Sequence, residues 1–378
     1  MIDTCADCLR RTELIAWLAG RIEHEWRLRC GRPQLLALPD TELLRWAKDP
    51  DAERRYSAFA AGFAIDRLVA TGLGAVCRCS PAYPAGLREL CDPPAVIHIA
   101  GDPALLAADG VALVGARNPT PYGLEIARAL GRALGAAGVT VVSGMAMGVD
   151  SAAHAGALEA GRTVAVLATG ADRPYPARAR TLHRRIAETG CVVSELPPGF
   201  APRRWAFPAR NRLIAALSAG TVVVEGGERS GSLITADFAA ELGRFVGAVP
   251  GPVTSRMSAG PHALLKAGAE VIRSAEDTLD LLHGAGAAGG LGVADPVVVG
   301  KGPRALAPRP EPAPPPPDLP PGLRRLLDEV ERGRGSLAEL VSDPERGFAV
   351  SRDLGELELR GLIRRVSGGR YIRSADAA

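Results

Sequence analysis

Between residues 95 and 283 the chain alternates short apolar runs with longer amphipathic stretches, and few architectures accept that alternation. The runs are Val96–Ile99, Val111–Val114, Val139–Val142, Val164–Leu167, Val192–Val193, Thr221–Val224 and Phe245–Val249. Candidate helices lie between them near 122–137, 150–160, 178–189, 210–218 and 232–242. Strands that are apolar on both faces must be covered on both faces, and strands separated by helices pair in parallel. The pattern predicts an α/β fold over residues 85–285, a doubly wound Rossmann-like parallel sheet.

The flanks have a different texture. Residues 1–80 have helical spacing in Leu14, Ile15 and Leu18, and again in Leu35, Leu36, Leu43, Leu44 and Trp46. They read as a small helical domain of the SAM or helix-hairpin-helix kind, ended by Gly72-Leu73-Gly74. Residues 286–321 are rich in Gly, Ala and finally Pro; APRPEPAPPPPDLPP reads as a polyproline spacer. Residues 322–374 regain order. Leu323, Leu326, Leu327 and Val330 suggest one helix, and Ser336 with Glu339 caps the start of a second. Leu354, Leu357, Leu359 and Leu362 suggest a third, and the run from Gly361 to Ile372 reads as two strands about a Gly368-Gly369 turn. Together these predict a C-terminal winged-helix domain.

Charge does not announce a nucleic-acid partner: 45 Lys and Arg stand against 42 Asp and Glu, a net of +3. Any phosphate affinity must come from basic groups gathered locally. Nothing resembles a secretory leader or a membrane span, and seven scattered cysteines fit reduced thiols, so a cytoplasmic location is expected. Cys5-x-x-Cys8 is half of a zinc site, but Cys30, Cys77 and Cys79 supply no second half at a standard spacing. Neither a metal nor a cofactor is expected.

In an open parallel sheet, ligands bind beyond the carboxyl ends of the strands. The loops there contain Gly115-Ala116-Arg117, Ser143-Gly144 with Gly148, Gly170, Phe207 to Arg212, and Ser230-Gly231-Ser232 with Thr235. Glycine- and serine-bearing turns that open helices favour anions, phosphate above all. Arg117, Arg210 and Arg212 add fixed positive charge to the same rim. The chain contains neither GxGxxG nor GxxxxGK[ST]. A dinucleotide or an ATPase phosphate turn is therefore not expected, and a nucleotide-like or polynucleotide ligand is.

The ordered strings VGARNPTPYG, SGMAMGVDSAAH, ATGADRPYP, FPARNRLIA, VVVEGGERSGSLITA and AVPGPVTSRMSAG resemble the DNA-processing protein A (DprA/Smf) family over about residues 90–283. The resemblance implies a Rossmann-like domain that binds single-stranded DNA, forms a homodimer and passes the strand to a RecA-type recombinase in natural transformation and recombination. It implies no catalysis and no membrane.

Carried onto this chain, the family's Gly-Ser/Thr-Arg turn falls on Gly115-Ala116-Arg117, with Arg117 as the principal phosphate contact. Three departures stand out. Ala116 replaces a hydroxyl residue, Met147 replaces a basic one, and Ala179 replaces an asparagine, although Arg178 and Arg180 flank it and offer charge. The remaining expected contacts are Gly115, Ser143, Gly144, Gly148, Gly170, Phe207, Arg210, Asn211, Arg212, Ser230, Gly231, Ser232 and Thr235.

Plainer readings accompany these. Asp150 and His154, four apart, suit a helix cap and an internal hydrogen bond better than a catalytic dyad. Arg210-Asn211-Arg212 could brace the sheet edge as readily as bind. Aromatics are only 4% of the chain, which argues against a broad stacking surface; Trp205, Phe207 and Tyr175 are the candidates. Two other functions compete. Phosphoribohydrolases of related fold carry PGGxGTxxE, but EGGERSGSLITA has no acid at the matching place. A duplex-binding regulator would act through residues 322–374, where Arg364, Arg365 and Arg370 sit on the expected wing.

Overall fold

The computed structural model describes residues 1–29, 34–284, 319–332, 340, 347–360, 362–366 and 370–373. The chain divides into two compact units, Met1–Val299 and Gly300–Ala378.

The first unit is built on one sheet. Its strands are β1 (Ile2–Asp3), β2 (Gly74–Cys77), β3 (Val96–Gly101), β4 (Gly110–Val114), β5 (Thr140–Ser143), β6 (Thr163–Val166), β7 (Cys191–Ser194), β8 (Gly220–Val223), β9 (Phe245–Ala248) and β10 (Glu270–Val271). They lie in the order β1-β2-β3-β7-β6-β5-β4-β8-β9-β10. Every neighbouring pair is parallel except the two made by β3, which runs against β2 and β7.

All seven strands expected from the apolar runs are present, and so are the five helices between them: Pro121–Ala136, Val149–Ala157, Arg180–Thr189, Ala206–Ala216 and Gly231–Glu241. The doubly wound cover follows from the pleat. In β4, Ala112 and Val114 enter the core on one face while Val111 and Leu113 enter the core on the other, all 3% exposed or less. Burying each such Val or Leu side chain contributes about 1.5–3 kcal/mol.

The topology also fixes where a ligand would sit. From β4 the chain winds outward through β5 and β6 to β7, then crosses back to β8 beside β4, with Val114 opposite Val223. The reversal leaves a crevice where the loops after β4 and β8 diverge.

One expected boundary is corrected. Residues 1–80 are helical as expected, with helices Ala6–Trp17, Ala19–Arg29, Asp40–Ala47, Pro50–Ser57 and Ala61–Thr71. They do not form a separate body, because β1 and β2 extend the same sheet and were invisible as short runs. Leu14, Leu18, Ile22 and Leu43 share one buried cluster with Leu196, Trp205 and Ala209. Arg67 ties the two parts further, pairing with Glu13 at 3.0 Å and donating to the Pro198 carbonyl at 2.9 Å.

In the second unit, helices Pro321–Glu331 and Gly347–Leu359 pack through Leu323, Leu327, Val330, Leu354 and Leu357. Strands Ile363–Val366 and Arg370–Arg373 pair antiparallel, with Arg364 opposite Ile372. The expected cap at Ser336, the Gly368-Gly369 turn, Cys30 and most of the 286–321 linker lie outside the described residues. Among the described residues no helix is long and apolar enough to cross a membrane.

Candidate functional site

A cleft of about 660 Å³ opens at the topological crevice. Gly115 and Arg117 enter it from the loop after β4; Phe207, Pro208, Arg210 and Asn211 from helix Ala206–Ala216; and Ser230, Gly231, Ser232, Ile234 and Thr235 from the start of helix Gly231–Glu241. Asp150, Tyr175 and Arg204, with the apolar Val114, Ala146 and Ile214, complete the wall, together with Trp26 from the second N-terminal helix. Three arginines thus face one aspartate.

Which backbone donors remain for an outside anion is decided by the carboxylates already in place. At helix Pro121–Ala136, Glu225 accepts from the Thr120 N–H at 2.8 Å and from the Thr120 hydroxyl at 2.7 Å. Gly123 makes room for it: a Cβ there would fall 2.3 Å from a Glu225 carboxylate oxygen. Ala116 N–H donates to the Glu225 carbonyl at 2.6 Å. The Ala116 amide is therefore used internally, and Ala116 is buried.

The turn after β5 is satisfied the same way. Buried Asp150 accepts from Gly144 N–H at 3.1 Å and Ala146 N–H at 3.3 Å. Burial raises the Asp150 carboxyl above its ordinary range, against the pull of Arg210 and those two amides. At helix Ala206–Ala216, Glu23 accepts from the Trp205 N–H at 3.2 Å.

Helix Gly231–Glu241 differs. Its cap is the uncharged Ser230 hydroxyl, which accepts from Ser232 N–H at 3.4 Å, and its first turn has no acidic residue. Its positive end opens into the cleft.

Arg210 and Arg117 play unlike parts. Arg210 is 5% exposed; its guanidinium donates to the Gly144 carbonyl at 2.7 Å and to that of Val166, binding the ends of β5 and β6 together. Only glycine fits beneath it, since a Cβ on Gly144 would lie 2.2 Å from the guanidinium. Burial lowers the Arg210 pKa to about 10, Asp150 opposing and Arg117 adding to the fall. Arg117 is exposed and lies over the Phe207 ring at 5.4 Å, while Tyr175, 42% exposed, packs on the same ring at 5.3 Å between centroids. A guanidinium and two rings thus form a short stacking edge beside the cleft.

Of the residues expected at the site, Gly115, Arg117, Phe207, Arg210, Asn211, Ser230, Gly231, Ser232 and Thr235 come together here. The others do not line the cleft. Ser143 donates its hydroxyl to the Leu113 carbonyl at 2.6 Å. Gly144 and Gly148 shape the turn, and Gly170 N–H donates to the Phe200 carbonyl at 3.1 Å. Arg178 and Arg180 are exposed outside it. Arg212 departs from the expected phosphate contact and takes the bracing part: it is 4% exposed and faces away, paired with Asp92 at 2.9 Å and Glu195 at 2.7 Å.

Trp205 is fully buried and offers no stacking face. His154 is buried and bonds to the Thr163 hydroxyl at 2.7 Å, an internal role. Trp26 and Arg204 were not foreseen. Arg204 adjoins the FPARNR string, so its neighbourhood was visible; Trp26 reaches the cleft only through tertiary packing.

The sequence profile described as DNA recombination-mediator protein A matches residues 74–283. DNA processing protein DprA of Bacillus subtilis is 42% identical over 213 residues, covering 56% of this chain and 72% of that one. The X-ray structure of DNA processing protein A from Streptococcus pneumoniae superposes with a TM-score of 0.59 at 31% identity, over 72% of this chain and 95% of that one. A solved structure of DNA processing protein A from Helicobacter pylori, described for its single-stranded DNA binding mode, gives a TM-score of 0.50 at 32% identity, over 53% of this chain and 92% of that one.

Proposed function

The chain belongs to the DNA recombination-mediator protein A family of DNA-processing proteins, and we propose that it holds single-stranded DNA in the cleft after β4 and β8 without cleaving it. The observation that carries this reading is the division of labour at the rim. Carboxylates fill the anion positions before Pro121 and Trp205, while the start of helix Gly231–Glu241, capped by a hydroxyl, faces a cleft lined by Arg117, Arg204 and Arg210.

A backbone phosphate fits at Ser230-Gly231-Ser232, with Arg117 as a second contact. A base fits on the exposed part of the Arg117–Phe207–Tyr175 edge. Such stacking contributes about 1–3 kcal/mol per base and tolerates any sequence. Duplex bases are already stacked and cannot use it. The Helicobacter pylori relative, described for binding single-stranded DNA, supports the same assignment.

The cleft is poorly furnished for hydrolysis. Asp150 is the one acid lining it among the described residues, and it already accepts two amide hydrogen bonds beside Arg210. Both bonds fall on one carboxylate oxygen, and among the described residues the cleft wall holds no second acid and no histidine to complete an acid–base pair for hydrolysis.

By extension from the family, the bound strand is delivered to a RecA-type recombinase by a homodimer in the cytoplasm, during DNA uptake and recombination. Residues 322–374 are read as a winged-helix domain that docks DNA or protein. The test is fluorescence anisotropy of full-length protein with matched single- and double-stranded oligonucleotides of mixed sequence. Preference for the single strand, with little dependence on sequence, is expected. Equal or tighter duplex binding would overturn the reading in favour of a regulator acting through the C-terminal unit.

A further inference from the structure

The sequence spacing argued against a metal, yet the fold gathers four cysteines. The sulfur atoms of Cys5, Cys8, Cys77 and Cys79 all lie within 4.8 Å of one another. Cys79 stands 3.9 Å from Cys5 and 3.7 Å from Cys8, sulfur to sulfur. A tetrahedral zinc ion with Zn–S bonds of about 2.3 Å spaces its sulfurs about 3.8 Å apart. No pair is joined as a disulfide; Cys5, Cys8, Cys77 and Cys79 are all free thiols.

The local backbone suits such a site. Cys5 is the N-cap of helix Ala6–Trp17 and Cys8 lies in its first turn. That is where a thiolate is best stabilised, by the helix dipole and by amide donors. Cys77 ends β2, and a turn closed by the Ser80 N–H to the Cys77 carbonyl at 2.9 Å brings Cys79 back over it. Cys8 and Cys77 are buried, Cys5 is half-buried and Cys79 is exposed, so the ion would have an entry path.

We propose that Cys5, Cys8, Cys77 and Cys79 bind one structural zinc ion, their thiols releasing protons to solvent as it enters. Four sulfurs leave zinc no open position, so the site is closed to catalysis. It would tie the start of the chain to the sheet edge across the five helices between them, including the helix that brings Trp26 to the cleft. This assignment is independent of the DNA-binding reading.

The test is elemental analysis of full-length protein purified without added metal or chelator, with thiol titration of the same sample. About one zinc per chain is expected, with four thiols unreactive until a chelator removes the ion. Cys5→Ser and Cys77→Ser should each lower zinc content at least about tenfold, whereas Cys91→Ser should leave it unchanged. Cobalt exchanged into the native protein should show the visible absorption of a tetrahedral thiolate site, a readout that survives if the serine variants fail to fold. Metal-free protein with freely reactive thiols, disulfides among these four cysteines, or bound iron in place of zinc would each overturn the assignment.

Discussion

The Glu225 carboxylate holds Thr120 at two points, 2.8 Å from its amide nitrogen and 2.7 Å from its hydroxyl, and so occupies the helix terminus where a dinucleotide-binding sheet would place its pyrophosphate. On the proposed reading, a strand of DNA would then use the neighbouring rim. Glu225 is 3% exposed, and its removal leaves the half-buried Thr120 donors without their acceptor. Glu225→Ala should cost about 2–3 kcal/mol and lower the melting temperature by several degrees. Glu225→Gln, which keeps one acceptor, should fall between it and the parent in a thermal melt.

Gly144→Ala should act on the site through sterics alone. Its methyl would fall 2.2 Å from the Arg210 guanidinium, displacing it from the Gly144 and Val166 carbonyls. A loss of about 1–3 kcal/mol in urea unfolding is expected, as for other overpacked positions. DNA affinity should fall as well, although the substitution changes no charge.

Arg212 separates bracing from binding. Arg212→Ala leaves the half-buried Asp92 and Glu195 uncompensated, so destabilisation of about 3 kcal/mol, the low end for a buried pair that loses one partner, is expected. The folded protein, measured below its melting temperature, should bind DNA like the parent. Arg210, by contrast, serves both ends.

Two buried histidines make stability fall in mild acid. Burial lowers the His98 pKa to about 4 and the His154 pKa to about 3, from 6.5 when exposed. The unfolded chain therefore takes up protons first as pH drops. The contribution is complete above pH 6.5 and is lost progressively as pH falls towards 4 and then 3. Urea midpoints measured from pH 7.5 downward, with His154→Gln for comparison, should show a shallower decline in the variant.

The parallel sheet was legible because strands buried on both faces leave uninterrupted apolar runs, and the rim was legible because ligand loops follow those runs. What escaped has physical causes. β1 is two residues long and exposed, and β2 reads Gly-Ala-Val-Cys, with one β-branched residue and a start inside the Gly72-Leu73-Gly74 stretch, so the N-terminal helices looked detached. Glycine-bearing turns announce tight backbone but not whether a distant carboxylate fills them; Glu225 lies 105 residues from Thr120. Arg210 and Arg212 are near neighbours in the sequence, yet they face opposite ways because two helix positions turn a side chain by roughly 200°. The cysteine cluster was hidden because half of it depends on where β2 joins the sheet.

The central claim is that Arg117 and the start of helix Gly231–Glu241 hold the backbone of a single strand. It is tested most directly by the salt dependence of single-stranded DNA affinity for the parent and Arg117→Ala, each on several sequences. Weaker binding by the same factor on every sequence is expected, with the log–log salt slope reduced by about 0.7, the share of the one phosphate that Arg117 neutralises. Unchanged affinity and slope in Arg117→Ala would contradict it.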